Sequence, residues 1–311
     1  METIFWVLIL AAGLALLVKG ADLFVNGASE LALKLGISQL VIGLTVVAMG
    51  TSMPEAAVSI SAVIKENADI TIGNVVGSNI LNILIILGLS SVITPLAVGK
   101  STIRYELPFL TGVSMLLLLQ GLDGEIGLGD GIVQVVLFCL YLIYLFAQAK
   151  KSPEADGKKS ANENGRKVWQ MILFCILGLA MTIAGSSLAV DAASEIALKL
   201  GMSQRFIGLT IVALGTSLPE LVTSVTAARK GKPDIAMGNI VGSNIFNILF
   251  VVGISALIHP VEFAEDFYFD SIVSAAAALL LILFCAKNKN LKRWQGASML
   301  ALYGLYFLAI L

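Results

Sequence analysis

Apolar positions run along this chain in blocks too long for a water-soluble core, with the polar positions gathered between them. Segments 3–22, 38–63, 69–93, 103–121, 127–148, 168–190, 203–228, 234–258, 267–286 and 293–311 are apolar over about 20 residues or more, the length a helix needs to cross a bilayer. An all-α, polytopic membrane protein with ten transmembrane helices is expected. The first block, in METIFWVLILAAGLALLVKG, has no positive charge ahead of it and no small-residue cleavage site, so it reads as a retained span. One stretch is clearly polar: KKSPEADGKKSANENGRK at 150–167. It is too rich in charge and small polar residues to pack, and reads as a flexible linker. The expected organisation is a five-helix unit at 1–149, the linker at 150–167, and a second five-helix unit at 168–311.

The two units share a sequence pattern. ASELALKLGIS (28–38) returns as ASEIALKLGMS (193–203), and GLTVVAMGTSMPEAAVSISA (43–62) as GLTIVALGTSLPELVTSVTA (208–227). GNVVGSNILNILIILGLS (73–90) returns as GNIVGSNIFNILFVVGIS (238–255). Every match has the same offset of 165 residues, so no gap intervenes. Five spans is an odd number, so the second copy enters the membrane upside down, the inverted-repeat plan of secondary transporters.

Lysine and arginine set the orientation. With the linker in the cytoplasm, both termini lie outside. The inner loops then hold Lys100, Arg104, Arg229, Lys230, Lys232, Lys287, Lys289, Lys292 and Arg293, and the outer ones only Lys65, Lys199 and Arg205. The cell (inner) membrane is the expected location.

Composition narrows the function. The 311 residues are 58% hydrophobic and 13% charged; the net charge of −1 says little because the charges are segregated. No basic patch is interleaved with aromatics, so the lipid bilayer and not nucleic acid is the expected environment. Cys139, Cys175 and Cys285 are irregularly spaced and give no disulfide framework or metal motif. The chain contains no HExxH, no GxSxG and no glycine-rich phosphate loop, so no enzymatic activity and no cofactor are expected.

The informative residues are polar ones inside apolar blocks. GTSMPE (50–55) and GTSLPE (215–220) carry Glu55 and Glu220, and a carboxylate at that depth costs roughly 2.5–3.5 kcal/mol even on lenient scales. No lysine or arginine lies in the central part of any span, so the partner is expected from solution. Pro54 and Pro219 argue against continuous helix there, freeing carbonyls near Ala48–Thr51 and Ala213–Thr216 as ligands. The next span of each unit adds Asn74, Ser78, Asn79 and Asn82, then Asn239, Ser243, Asn244 and Asn247. Ser78 and Asn82 share one helix face, continued by Asn74; Asn79 points elsewhere, as a cap or an interhelical bond. Carboxylates, hydroxyls, amide oxygens and carbonyls form an all-oxygen set suited to a hard cation, and two glutamates balance one calcium ion. His259, beside Pro260 at a span end, reads as interfacial.

With the doubled GTSMPE/GTSLPE and GNVVGSNILN/GNIVGSNIFN motifs and ten spans around a polar linker, the chain resembles the sodium/calcium exchangers of the calcium/cation antiporter superfamily. The resemblance implies antiport of several sodium ions against one calcium ion by alternating access, in a chain that functions as a monomer. It implies a calcium ion between Glu55 and Glu220, with carbonyl oxygens of Thr51 and Thr216. For sodium it implies Ser52, Ser78, Ser217 and Ser243, carbonyls of Ala48 and Ala213, and Asn82 and Asn247 at the remaining central positions. It also implies that the first and sixth spans slide as a gating pair. Some potassium-dependent and microbial members have aspartate where this chain has Asn247, which argues against potassium co-transport. A proton-coupled calcium exchanger is the alternative, and proton competition at the two buried glutamates predicts inhibition by acid.

Overall fold

The computed structural model describes residues 2–65, 69–149, 166–202 and 213–310; all but Arg166 and Lys167 of the 150–167 linker, and 203–212 of the seventh expected span, lie outside them. Helices α1 (Glu2–Leu35), α2 (Gln39–Thr51), α3 (Met53–Ile64), α4 (Ile70–Ile93), α5 (Thr102–Asp123) and α6 (Leu128–Ala149) come first. They are followed by α7 (Val168–Lys199), α8 (Ala213–Thr216), α9 (Leu218–Arg229), α10 (Pro233–Ile258), α11 (Asp266–Asn288) and α12 (Arg293–Ile310). Among the described residues, seven helices are long and apolar enough to cross a membrane, and the bent pair α2–α3 makes an eighth.

Two helices run further than the apolar pattern indicated. Helix α1 continues past residue 22 to Leu35, and α7 past residue 190 to Lys199. The added segments are rich in Ala, Leu, Glu and Lys, which favour helix whether or not they sit in lipid. Each helix is followed by a glycine at positive φ, Gly36 at 66° and Gly201 at 84°. The residue after each glycine donates back into the helix, Ile37 N–H to the Ala32 carbonyl and Met202 N–H to that of Ala197, the usual way a left-handed glycine closes a helix.

Helices α4 and α10 form the centre. Their apolar windows are 72% and 83% buried, against 22–39% for the other long helices. Helices α1 and α7 pack mainly on each other, along a seam of small residues. A Cβ added to Gly20 would lie 2.5 Å from the Thr182 nitrogen, and one added to Gly185 2.4 Å from that of Leu17. Backbone meets backbone here, which only glycine permits.

Two short antiparallel ribbons join the halves. Strand β1 (Leu96–Ala97) pairs with β4 (Asn290–Leu291), matching Leu96 with Leu291 and Ala97 with Asn290. Strand β2 (Glu125–Ile126) pairs with β3 (Val261–Glu262), matching Glu125 with Glu262 and Ile126 with Val261. At the 165-residue offset β1 corresponds to β3 and β2 to β4, so each ribbon is the counterpart of the other. His259 lies at the exposed end of α10, as expected.

Candidate ion-binding site

The proline motifs bend the chain without unwinding it. Helices α2 and α3 meet at 48° across one residue, Ser52, whose φ of −84° and ψ of 6° leave the helical range. Pro54 and Pro219 then occupy the first turns of α3 and α9, where a missing N–H costs nothing. Glu55 and Glu220 stand in those same turns, close to the positive helix ends. The expectation of freed carbonyls is corrected at Ala48, whose oxygen still accepts the Ser52 N–H at 3.0 Å. The break is one residue long, so most ladder bonds survive. The same oxygen nevertheless faces the other half, accepting the Ser243 hydroxyl at 3.4 Å.

Each glutamate is held by a serine from the opposite half. The Ser52 hydroxyl donates to Glu220 Oε1 at 2.8 Å, and the Ser217 hydroxyl to Glu55 Oε1 at 3.1 Å. Both glutamates are at most 1% exposed. Their second oxygens, Glu55 Oε2 and Glu220 Oε2, accept nothing, and no basic residue pairs with either among the described residues.

Six asparagines hold this core in two tiers. Asn74 Nδ2 donates to Ser59 Oγ at 2.8 Å and to the Glu55 carbonyl at 3.1 Å; Asn239 Nδ2 donates to Ser224 Oγ at 2.9 Å and the Glu220 carbonyl at 3.4 Å. Asn239 Oδ1 also accepts the Thr51 hydroxyl at 3.0 Å. These two clamp the glutamate-bearing helices to α4 and α10, so Asn74, at the start of the Ser78–Asn82 stripe, serves as a brace. Asn79 and Asn244 bond across the halves, each amide to the other's backbone carbonyl, at 3.3 and 3.1 Å. Their side-chain oxygens take the amides of Asn247 and Asn82, at 3.3 and 2.9 Å. With both amide nitrogens engaged, Asn82 Oδ1 and Asn247 Oδ1 are left buried with no donor.

Four oxygens on α3, α4, α9 and α10 are thus buried and unsatisfied. A buried acceptor without a donor costs about 1–3 kcal/mol, more when charged, so four in counterpart pairs call for a common cause. Oxygen-only donors with two negative charges fit sodium and calcium and not a thiophilic metal. Asn82 and Asn247 each open a turn of π-helix, Asn82–Leu87 and Asn247–Val252, a distortion that recurs at functional sites.

A sequence model of the family described as "Sodium/calcium exchanger protein" matches residues 5–147 and 170–311. The chain belongs to the sodium/calcium exchanger family. It is 42% identical to the putative antiporter CaxA of Alkalimonas amylolytica, over 90% of each chain. It is 35% identical to the sodium/calcium exchanger MaX1 of Methanosarcina acetivorans, over 98% of this chain and 97% of that one. Among solved structures, the sodium-calcium exchanger NCX_Mj soaked with sodium and no calcium matches with a TM-score of 0.86 at 35% identity, over 99% of this chain and 100% of that one. This exchanger is accordingly an integral membrane protein of an antiporter family that moves sodium and calcium, which is a transporter family and not an enzyme family.

The exchanger's expected site residues mostly gather in this core. Thr51, Ser52, Asn82, Ser217, Ser243 and Asn247 bond into it and are buried; Ser78 is buried on α4, and Thr216 is half-buried. Ala213 opens α8 at the edge of the described residues. Sequence reasoning missed the pairing of Ser52 with Glu220 and of Ser217 with Glu55. The signal was present, since each serine precedes its own glutamate by three residues and a bend separates them.

Proposed function

We propose that this exchanger moves several sodium ions against one calcium ion by alternating access, and that ions bind among Glu55, Glu220, Thr51, Thr216, Ser52, Ser217, Ser78, Ser243, Asn82, Asn247 and the carbonyls of Ala48 and Ala213. The carrying observation is the set of four unsatisfied oxygens, Glu55 Oε2, Glu220 Oε2, Asn82 Oδ1 and Asn247 Oδ1. Calcium and sodium compete for such a shell. Without ions, two carboxylates in a low-dielectric interior make closure costly, so the empty carrier does not cross and flow is coupled.

Ten spans arranged as two inverted five-helix repeats, 1–149 and 168–311, are the architecture we assign. Counterpart hydrogen bonds and counterpart ribbons at a constant offset support it. So does the pairing of ribbon loops, since β1 and β4 fall in loops assigned to the cytoplasm and β2 and β3 in loops assigned to the outside. Helices α1 and α7 act as the gating pair that slides over the site; their glycine seam holds them to each other more closely than to the centre. Both termini lie outside, the linker in the cytoplasm, and the unit works as a monomer in the cell (inner) membrane.

Radiocalcium uptake into sodium-loaded proteoliposomes tests the reading. Uptake that requires internal sodium and stops when the sodium gradient is collapsed is expected. Uptake that ignores sodium and follows a proton gradient would replace it with the proton-coupled alternative.

A further inference from the structure

A second carboxyl is buried away from the ion site. Glu106, on α5, is 1% exposed. Its Oε1 accepts the Tyr144 hydroxyl at 3.0 Å, and Tyr141 stacks on Tyr144 and on Phe109 of α5, with ring centres 6.5 and 5.1 Å apart. Residues 141, 144 and 148 form one stripe of α6, three and four apart, that faces α5. Glu106 Oε2 accepts nothing, and the hydroxyls of Thr102 and Tyr141 have no partner, although these residues are only 1% and 5% exposed. Thr102 stands four residues before Glu106 on the same helix face, within a turn of π-helix that spans Thr102–Glu106.

The charge count selects the ligand. No ion pair to Glu106 occurs among the described residues, and the neighbouring Arg104 lies over the Tyr105 ring, 5.7 Å from its centre. One carboxylate among neutral oxygens is balanced by a monovalent cation; a calcium ion would leave a buried positive charge. Oxygen-only donors select an alkali cation over softer metals. Glu106 is the fifth residue of α5, within its first turn and a half, and half-exposed Tyr144 stands at its edge, so an ion need not cross the membrane to reach it. The counterpart of Glu106 in the second half is Ser271, so one half alone carries the arrangement. We propose that Glu106 Oε2, Thr102 Oγ1 and Tyr141 Oη hold a sodium ion at a site separate from the exchange path.

The test uses the full chain in detergent with the exchange site neutralised by Glu55→Gln and Glu220→Gln. Thermal unfolding is followed against sodium chloride, with choline chloride holding ionic strength constant. Saturable, sodium-specific stabilisation is expected to remain in this double variant and to vanish when Glu106→Gln is added. Tyr141→Phe removes an unpartnered hydroxyl and breaks no hydrogen bond, so it should fold; it is expected to shift the sodium midpoint upward roughly two- to tenfold, the loss of one neutral ligand. Absence of sodium-specific stabilisation in the double variant would overturn the proposal. So would stabilisation that survives Glu106→Gln, or a midpoint unmoved by Tyr141→Phe. In infrared spectra, a protonated carboxyl band that persists in sodium and disappears with Glu106→Gln would also overturn it, by showing a proton where the ion is placed.

Discussion

Glutamine at position 220 separates the two cations most sharply. Glu220 is buried, with Oε1 bound by Ser52 at 2.8 Å and Oε2 free. Glutamine keeps an acceptor for Ser52, but replaces the free oxygen with a donor and removes one charge. Two carboxylates balance a divalent ion, whereas one leaves a net positive charge in a low-dielectric interior. Removing one member of a buried charge pair costs about 3–5 kcal/mol, so at 1.4 kcal/mol per decade calcium affinity should fall by about 10²- to 10³·⁵-fold. A single sodium ion needs a single carboxylate, so the tightest sodium event should weaken only by about a hydrogen bond's worth, up to roughly tenfold. Isothermal titration of each ion into purified protein, beside radiocalcium uptake, measures both. Glu55→Gln should behave alike, because Ser217 holds Glu55 in the same way at 3.1 Å. Unchanged calcium affinity in either variant would refute the reasoning, as would equal losses for the two ions.

Gly20→Leu puts a side chain where a Cβ would already stand 2.5 Å from the Thr182 nitrogen and 2.8 Å from the Gly178 oxygen; at an overpacking cost of about 1–3 kcal/mol, exchange should slow while equilibrium calcium binding holds, read by comparing uptake rate with titration. Asn239→Ala strips donors or acceptors from Ser224, the Glu220 carbonyl and Thr51, all buried, and at about 1–3 kcal/mol per orphaned group should lower the unfolding temperature more than substitution of any lipid-facing residue. Lys230 Nζ meets Asp22 at 2.5 Å and Asn26 at 2.8 Å, pinning α1 to the loop before α10; Lys230→Met should speed exchange by at most about fivefold, since partly exposed pairs are worth about 0.2–1 kcal/mol, and high salt should erase the difference. Acidifying the calcium-facing side should slow uptake by proton competition at Glu55 and Glu220, and raised calcium should restore it.

What the sequence made legible followed from contrast. A carboxylate in an apolar block is conspicuous, so Glu55 and Glu220 stood out, and the constant offset of 165 residues exposed the duplication without any alignment to other chains. Helical spacing turned Asn79 away from Ser78 and Asn82 and left it readable as a cap or an interhelical bond; it makes the second. Other features depend on contacts that no local pattern encodes. The extension of α1 to Leu35 carries Asn26, Ser29, Glu30 and Lys34, polar residues that made the apolar block look finished at residue 22. The brace made by Asn74 depends on Ser59 being across from it, and the two ribbons are only two residues per strand, below any periodicity. Glu106 was overlooked for a related reason. Near the end of a span, beside Arg104 and Tyr105, it resembles an interfacial residue, and its burial against Tyr144 of the next helix is a tertiary contact.

The serine–glutamate exchange also sets a schedule for biogenesis. Ser217 is 162 residues beyond the carboxylate it supports, and at about 5–20 residues per second of synthesis it emerges roughly 8–32 s after Glu55. Through that interval the first half sits in the bilayer with its acidic residue lacking the hydroxyl that will hold it, and with strand β1 waiting for β4. The membrane insertion machinery must shelter a half-built centre, and a chain truncated after α6 would present the same unmatched groups permanently, as a substrate for membrane proteases and not as an independent half.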